Sequence, residues 1–268
     1  MSYKTILVTE EDGVKTIMLN RPDRRNAMTP EMQDELIAAM EKAGASGHTR
    51  VVVLAGAGEA FCAGLDMVHL QEMGNKSQAE HVADAERTAR LFRTLYELPK
   101  PTIAMVHGAA IAGGTGLAMI CDFTYAAPGV KFGFTEVKIG FVPALVSAYL
   151  TLQLGDKKAR GLLLTGRLFQ SEEALELGLI NDVIPDGHLS AHVYELARCL
   201  KGNSPQSMAA TKKLLAAQNK AWLDDAIGHS MTANAEAKAM HDFSEGVAAF
   251  LQKRKPVWGK TTTADLRG

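Results

Sequence analysis

The chain opens on alternating apolar and polar positions, with Ile6 and Val8 on one face, and the alternation resumes from Val14 to Leu19 after Glu11-Asp12-Gly13. A period of two on both sides of a turn signal predicts a β-hairpin. Asn20-Arg21-Pro22-Asp23 breaks the pattern, and Thr29-Pro30 then reads as a helix start. It offers a hydroxyl cap, proline at the first helical position and Glu31 in the first turn. Met32, Leu36 and Met40, with Ile37 beside them, carry an amphipathic helix to about Lys42. The methionines read as core filler. Val51 to Leu54 is short and wholly apolar, as suits a strand buried on both faces. Ala55 to Asp66 is a loop that starts where this strand ends, the place where sites in α/β proteins collect. Met67 to Lys76 follows neither period. Gln78 to Leu98 is helical, with Val82, Ala85, Ala89, Phe92 and Leu95 on one stripe, and Pro99-Lys100-Pro101 stops it.

Thr102 to Val106 is a second buried strand, and it leads into the stretch around which the chain is organised, Ala109 to Pro143. There Gly113-Gly114 opens an apolar segment from Leu117 to Cys121, Phe123 to Ala126 is extended, and a lone carboxylate, Glu136, stands between apolar patches. Helices are expected over Ala144 to Leu154 and Lys157 to Leu164, and again from Ser171 with Gly178 as its C-cap. Leu179 to Ile184 is extended and Pro185-Asp186-Gly187 a turn. Leu189 to Leu251 reads as helical, with breaks at Gly202 to Pro205 and at Gly228. The tail from Lys253 is basic, then polar, and is expected to fray. The strand, loop and helix of 51–66 are echoed at 102–121. The class is α/β, with a helix-rich end, about 200–268, that lacks the strands for an α/β unit of its own.

Composition narrows the function little. The chain has 268 residues, 47% hydrophobic and 22% charged, with a formal net charge of -1, which argues against bulk nucleic-acid binding. The longest apolar run, Ala109 to Cys121, is too short for a membrane span. The opening residues lack the basic and apolar regions of a secretory signal, so a cytoplasmic location is expected. Three scattered cysteines, Cys62, Cys121 and Cys199, read as small buried residues in a reducing compartment. No HExxH occurs, and His188 and His192 lack a third partner, so no metal site is expected.

Three features bear on chemistry. Glycines ahead of an apolar helix leave unpaired amides at its N-terminus, and Ala63-Gly64-Leu65-Asp66 has the same character. One N–H from each loop would make a two-donor oxyanion hole; alternatively, the glycines only permit close packing. Neither loop has the spacing of a phosphate- or dinucleotide-binding motif. Glu136 is either an acid raised in pKa by an apolar pocket, fit for proton transfer near neutral pH, or a surface acid paired with Lys138 or Lys131. Asp66 and Asp122 are possible second acids, Asp122 better suited to tying down a strand edge. Lys253, Arg254 and Lys255 form either a solvated helix end or a phosphate site.

Read in order, Arg21-Pro22 with Asn26-Ala27, FCAGLD at 61–66, AGGTGLAMICD at 112–122, TEVKIG with Pro143, and LTGRLFQSEEALELGLIN at 164–181 resemble the crotonase superfamily, the enoyl-CoA hydratase and isomerase family, over essentially the whole chain. The resemblance implies a spiral of repeated ββα turns over 1–200 and a helical trimerisation region over 201–268, assembled as trimers or dimers of trimers. It implies an acyl-CoA substrate, with coenzyme A as part of that substrate and no separate cofactor. The oxyanion hole would fall on the N–H groups of Leu65 and Gly113, and Glu136 would be the acid–base. The coenzyme would lie along Arg25, Asn26, Ala27 and the Ala63, Gly64 and Asp66 loop, with Phe250, Lys253 and Lys255 reaching its adenine and phosphates.

This chain departs from the two-glutamate hydratases of that family at Gly116, where the first acid would stand. Adding water is easiest with two groups, whereas moving a double bond needs one. A single glutamate therefore suits isomerisation best. Hydration by Glu136 alone, possible if water fills the space at Gly116, and non-catalytic acyl-CoA binding are the alternatives. Ala144-Leu145-Val146-Ser147, where relatives carry a glycine-rich run, is expected to narrow the acyl pocket.

Overall fold

The hairpin forms as the alternation predicts: β1 (Ile6–Glu11) and β2 (Val14–Leu19) pair antiparallel with Glu11 opposite Val14. The structure is a computed structural model and describes residues 3–185 and 187–259. Asp186 of the expected turn and residues 260–268 of the tail lie outside the described residues. After the hairpin, α1 (Pro30–Ala45) begins where Thr29 accepts a hydrogen bond from the Met32 N–H. Its apolar stripe is buried.

Three successive turns of chain then repeat one plan. β3 (Val51–Gly56) and β4 (Ala60–Cys62) lead to α2 (Met67–Met73) and α3 (Gln78–Tyr96). β5 (Thr102–Val106) and β6 (Ala109–Ile111) lead to α4 (Gly113–Ile120). β7 (Phe123–Ala126) and β8 (Lys131–Gly133) lead to α5 (Ala144–Leu154) and α6 (Asp156–Thr165). The first strand of each turn enters a six-stranded sheet of order β1-β2-β3-β5-β7-β10; the second enters a four-stranded sheet of order β4-β6-β8-β9. β9 (Leu168–Gln170), α7 (Ser171–Leu177) and β10 (Asp182–Val183) complete both sheets. The chain is thus an α/β spiral of ββα turns. Only two turns show as repeats in the sequence, because β4, β6 and β8 are three residues each and lie in glycine-containing stretches with no readable period.

The helical end is α8 (Leu189–Gly202), α9 (Pro205–Lys238) and α10 (His241–Leu251). The break expected at Gly228 is absent: α9 runs through it for 34 residues. One interior glycine costs a helix only ~1 kcal/mol, and burial of Leu223, Ile227, Asn234 and Ala237 on either side outweighs that. The break falls instead at Ala239-Met240. Residues 67–76, which fit neither period, contain α2, capped by the Asp66 side chain at the Val68 N–H.

α3 and α9 pack antiparallel across a buried ion pair. Lys238, 1% exposed, places Nζ 2.6 Å from Asp84, which also accepts from His69 Nε2 at 2.8 Å. Burial alone would raise the Asp84 carboxyl, but His69 and Lys238 outweigh it and hold the group at about 2. This cluster ties α2, α3 and α9 together. Asp122 anchors a strand edge as expected: one carboxylate oxygen accepts from the Thr102 N–H and hydroxyl.

Candidate active site

Two turns of the spiral meet at the loops 63–66 and 111–114. The first loop is built on Arg21-Pro22 and Asn26-Ala27. Arg25 and Asn26 adopt left-handed backbone, φ 49° and 54°. Asn26 is fully buried; its amide donates to the Ala57 and Ala60 carbonyls, each at 2.8 Å, and its Oδ1 accepts from the Arg21 N–H at 2.9 Å. Arg21 in turn pairs with Asp66 at 2.9 Å. Asn26 therefore shapes the turn from below and does not reach the cavity. Asp66 is engaged by Arg21 and by capping α2, and these partners lower its pKa despite burial.

Met28 and Leu65 form an isolated parallel bridge: the Met28 N–H donates to the Gly64 carbonyl at 2.7 Å, and the Asp66 N–H to the Met28 carbonyl at 2.9 Å. A parallel bridge uses the groups flanking its central residue, so the N–H of Leu65 is left over. Across from it, Ala112 takes φ 53° and ψ -121°, a conformation that L-residues avoid. It is locked there by its N–H on the Gly133 carbonyl at 2.7 Å, while Thr115 Oγ1 donates to the Ala110 carbonyl at 2.7 Å. The turn leaves Gly113 as the first residue of α4, where an N–H has no intrahelical acceptor. Among the described residues neither the Leu65 nor the Gly113 N–H has a hydrogen-bond partner. Gly64 packs against this second loop: a Cβ there would stand 3.0 Å from the Ala112 Cβ.

Leu65 and Gly113, but not Gly64, line a cavity of about 480 Å³, along with Arg25, Ala27, Ala63, Asp66, Glu136 and Phe250. Glu136 is 8% exposed, and its Oε2 is buried with no partner among the described residues. Neither Lys131 nor Lys138 pairs with it. Burial lifts its carboxyl to about 7, against a weak opposing pull from its own backbone N–H. The cavity wall thus carries an acid with one unpaired oxygen, its carboxyl raised to about 7, and two residues whose amides are free.

The position beside Gly116 is not open space. A Cβ there would meet Val146 Cγ1 at 2.8 Å and Phe92 Cζ at 3.0 Å. Apolar side chains thus crowd the first atom of any side chain at this position, one expected to leave space. As the 144–147 segment suggests, Ala144, Leu145 and Val146 form part of the wall.

Lys253 and Lys255 do not line the cavity; both are exposed beyond α10, next to Phe250 and Leu251, which do. Cys62 is buried, its thiol pushed up to about 12, which makes it inert as a nucleophile. His107 bonds the Gly58 carbonyl at 2.8 Å. Met28, Thr88, Phe92, Ile111 and Asn234 also stand on the cavity wall, and the sequence pattern singles out none of them for it. Phe92 belongs to a helical stripe that reads as core and Thr88 flanks that stripe; only the crossing of helices turns them toward the site.

Close approach at Gly114 holds the two loops together: a Cβ there would lie 2.1 Å from the Cys62 carbonyl oxygen. Gly114→Ala must push the loops apart. We expect a loss of ~2 kcal/mol by thermal unfolding, the scale of core overpacking, together with a fall in turnover larger than any rise in KM.

A family profile described as enoyl-CoA hydratase/isomerase matches residues 9–261. A Thermus thermophilus protein provisionally named an enoyl-CoA hydratase is 41% identical over 92% of this chain and 98% of its own length. A hydroxycinnamoyl-CoA hydratase-lyase of Pseudomonas fluorescens is 35% identical over 78% of this chain and 77% of its own length. A solved enoyl-CoA hydratase/isomerase from Xanthobacter autotrophicus superposes with a TM-score of 0.88 at 29% identity, covering 94% of each chain.

Proposed function

The chain belongs to the enoyl-CoA hydratase/isomerase family, and on that premise we propose that it moves a carbon–carbon double bond into conjugation with a coenzyme A thioester, using Glu136 as its single acid–base. As a member of this family it is an enzyme acting on acyl-CoA substrates. The observation that carries the finer reading is the packing at Gly116: Phe92 and Val146 crowd the point from which a second acid's side chain would start.

In this reading the thioester oxygen rests on the N–H groups of Leu65 and Gly113. The Glu136 carboxylate removes a proton from C2 of a 3-enoyl thioester. The electron pair shifts through the C1–C2 unit, and the dienolate charge collects on the thioester oxygen, where two fixed amides stabilise it. The protonated Glu136 then returns its proton to C4, leaving a 2-enoyl thioester. A carboxyl near neutrality can do both steps. Coenzyme A enters as part of the substrate, along Arg25, Ala27 and the 63–66 loop, with Phe250 at its edge and Lys253 and Lys255 toward its phosphates. No separate cofactor is required.

A second reading, hydration by Glu136, is favoured by the names of the relatives. A time course on a trans-3-enoyl-CoA and a trans-2-enoyl-CoA separates the two: conjugated thioester absorbance appears in isomerisation and disappears in hydration. Fast conjugation with little hydration supports the isomerase; dominant hydration overturns it. Since the carboxylate starts the reaction, kcat/KM is expected to rise with pH through a midpoint near the Glu136 value of about 7. A flat pH profile from 5.5 to 8.5, a range spanning roughly that midpoint, would remove Glu136 from the rate-limiting proton transfer.

The proposal extends to assembly. Leu214 and Leu215 on α9 are 59% and 53% exposed, which supports a helical trimerisation region over 201–268 and a trimer or a dimer of trimers. Among the described residues no helix is long and apolar enough to cross a membrane.

A further inference from the structure

One part of the cavity wall does not match a plain hydrocarbon chain. Asn234 lines the cavity, is 6% exposed, and has a buried Oδ1 with no partner; among the described residues no group bonds either end of its amide. Side-chain amides enclosed in protein are nearly always bonded, because leaving them unpaired is costly. The mechanism makes no use of this one.

Its neighbour is set by helix register. Asp84 bonds Lys238, Arg93 bonds Asp224, and Tyr96 bonds Asn219, so α3 and α9 run antiparallel. Thr88 stands one turn after Asp84, and Asn234 one turn before Lys238, on the same level of the pair. Thr88 also lines the cavity. Its hydroxyl donates to the Asp84 carbonyl at 3.3 Å and accepts from Gln33 Nε2 at 3.1 Å. One lone pair remains for a further donor. Around these two groups the wall is apolar: Leu70, Phe92 and Val146.

We propose that Asn234 and Thr88 form a polar subsite for the acyl group, and that the substrate carries a hydroxyl on its acyl chain beyond the reacting carbons. This deepens the acyl-CoA reading above and rests on it. A hydroxyl fits because it donates and accepts at once, matching an amide and a free lone pair. A carboxylate does not fit: Lys238 is committed to Asp84, and the cationic side chains on the described wall, Arg24 and Arg25, belong to the loop after β2.

Saturated acyl-CoAs are not turned over, so they report binding alone. Calorimetric titration of the full chain with a series of increasing length, each ending in either methyl or hydroxyl, tests the subsite. At the length that reaches α3 and α9, the hydroxyl ester is expected to bind ~10-fold tighter than its methyl counterpart. Asn234→Leu should reverse that preference, and Thr88→Val should reduce it. Asn234→Leu removes an unbonded amide, so it should melt no lower than the parent; if it does not fold, Asn234→Ala and Thr88→Val carry the test. Tighter methyl binding at every length, or a hydroxyl preference unchanged in the variants, overturns the subsite while leaving acyl-CoA binding intact. Binding of neither ester overturns the acyl-CoA reading itself, and the subsite with it.

Discussion

Glu136→Gln is expected to lower turnover of an enoyl-CoA by about a thousandfold, the scale of a lost general acid–base, while acyl-CoA affinity stays within a few-fold. Gln keeps the shape of the side chain and cannot take a proton. The same change should make the fold more stable above neutral pH. In the unfolded chain this carboxyl ionises near its ordinary value of 4.5, whereas in the fold burial holds it at about 7. The native state therefore binds the proton more tightly, and stability falls as pH rises between these values. The loss approaches ~3 kcal/mol when both states are ionised. Gln, which does not ionise, escapes it. Denaturant melts at pH 5 and pH 8, roughly the two ends of this window, should show a gap between parent and variant only at the higher pH. An inactive variant less stable than the parent at both would mean that the substitution damaged the fold instead.

Asp84→Ala is expected to cost ~3–5 kcal/mol, because it strands the Lys238 ammonium inside the protein. That is a large share of a typical domain's stability. Asp84→Leu combined with Lys238→Met should recover part of it, since no buried ammonium is then stranded, although His69 loses its acceptor. The parent should also weaken as pH falls below the ordinary aspartate value of 3.8 toward the native value of about 2. The cluster holds α2 through His69, and only the capping residue Asp66 separates α2 from Leu65. A loosened cluster should therefore reduce activity even at temperatures where the variant remains folded. Circular dichroism and turnover measured on the same samples check both effects.

Much of the fold is legible in the order of residues alone. The hairpin, the capped start at Thr29-Pro30, the buried strands at 51–54 and 102–106, and the cap at Gly178 depend on local patterns, and the structure follows them. The loops at 63–66 and 113–114 and the acid Glu136 stand out for the same reason, since a glycine-bearing loop after a strand and an acid among phenylalanines are local signals; the choice of the Leu65 and Gly113 amides within those loops comes from the family resemblance. What escapes is nonlocal. Asn26 resembles a ligand contact because it stands beside Arg25 and Ala27, yet its side chain faces the loop beneath. The space at Gly116 reads as open because the side chains that close it, Phe92 and Val146, come from other turns of the spiral. Asn234 gives no signal, because a single polar residue in a long helix carries no hint that it faces a cavity.

The two free amides belong to different repeats, one placed by the Met28–Leu65 bridge and the other by the turn at Ala112. In the proposed mechanism neither loop carries a complete oxyanion hole, and neither can melt locally without taking half of it away. Catalysis then reports on whichever loop is the less stable. In a denaturant titration its midpoint should fall no higher than that of the whole secondary structure, and ahead of it wherever one loop loosens before the rest.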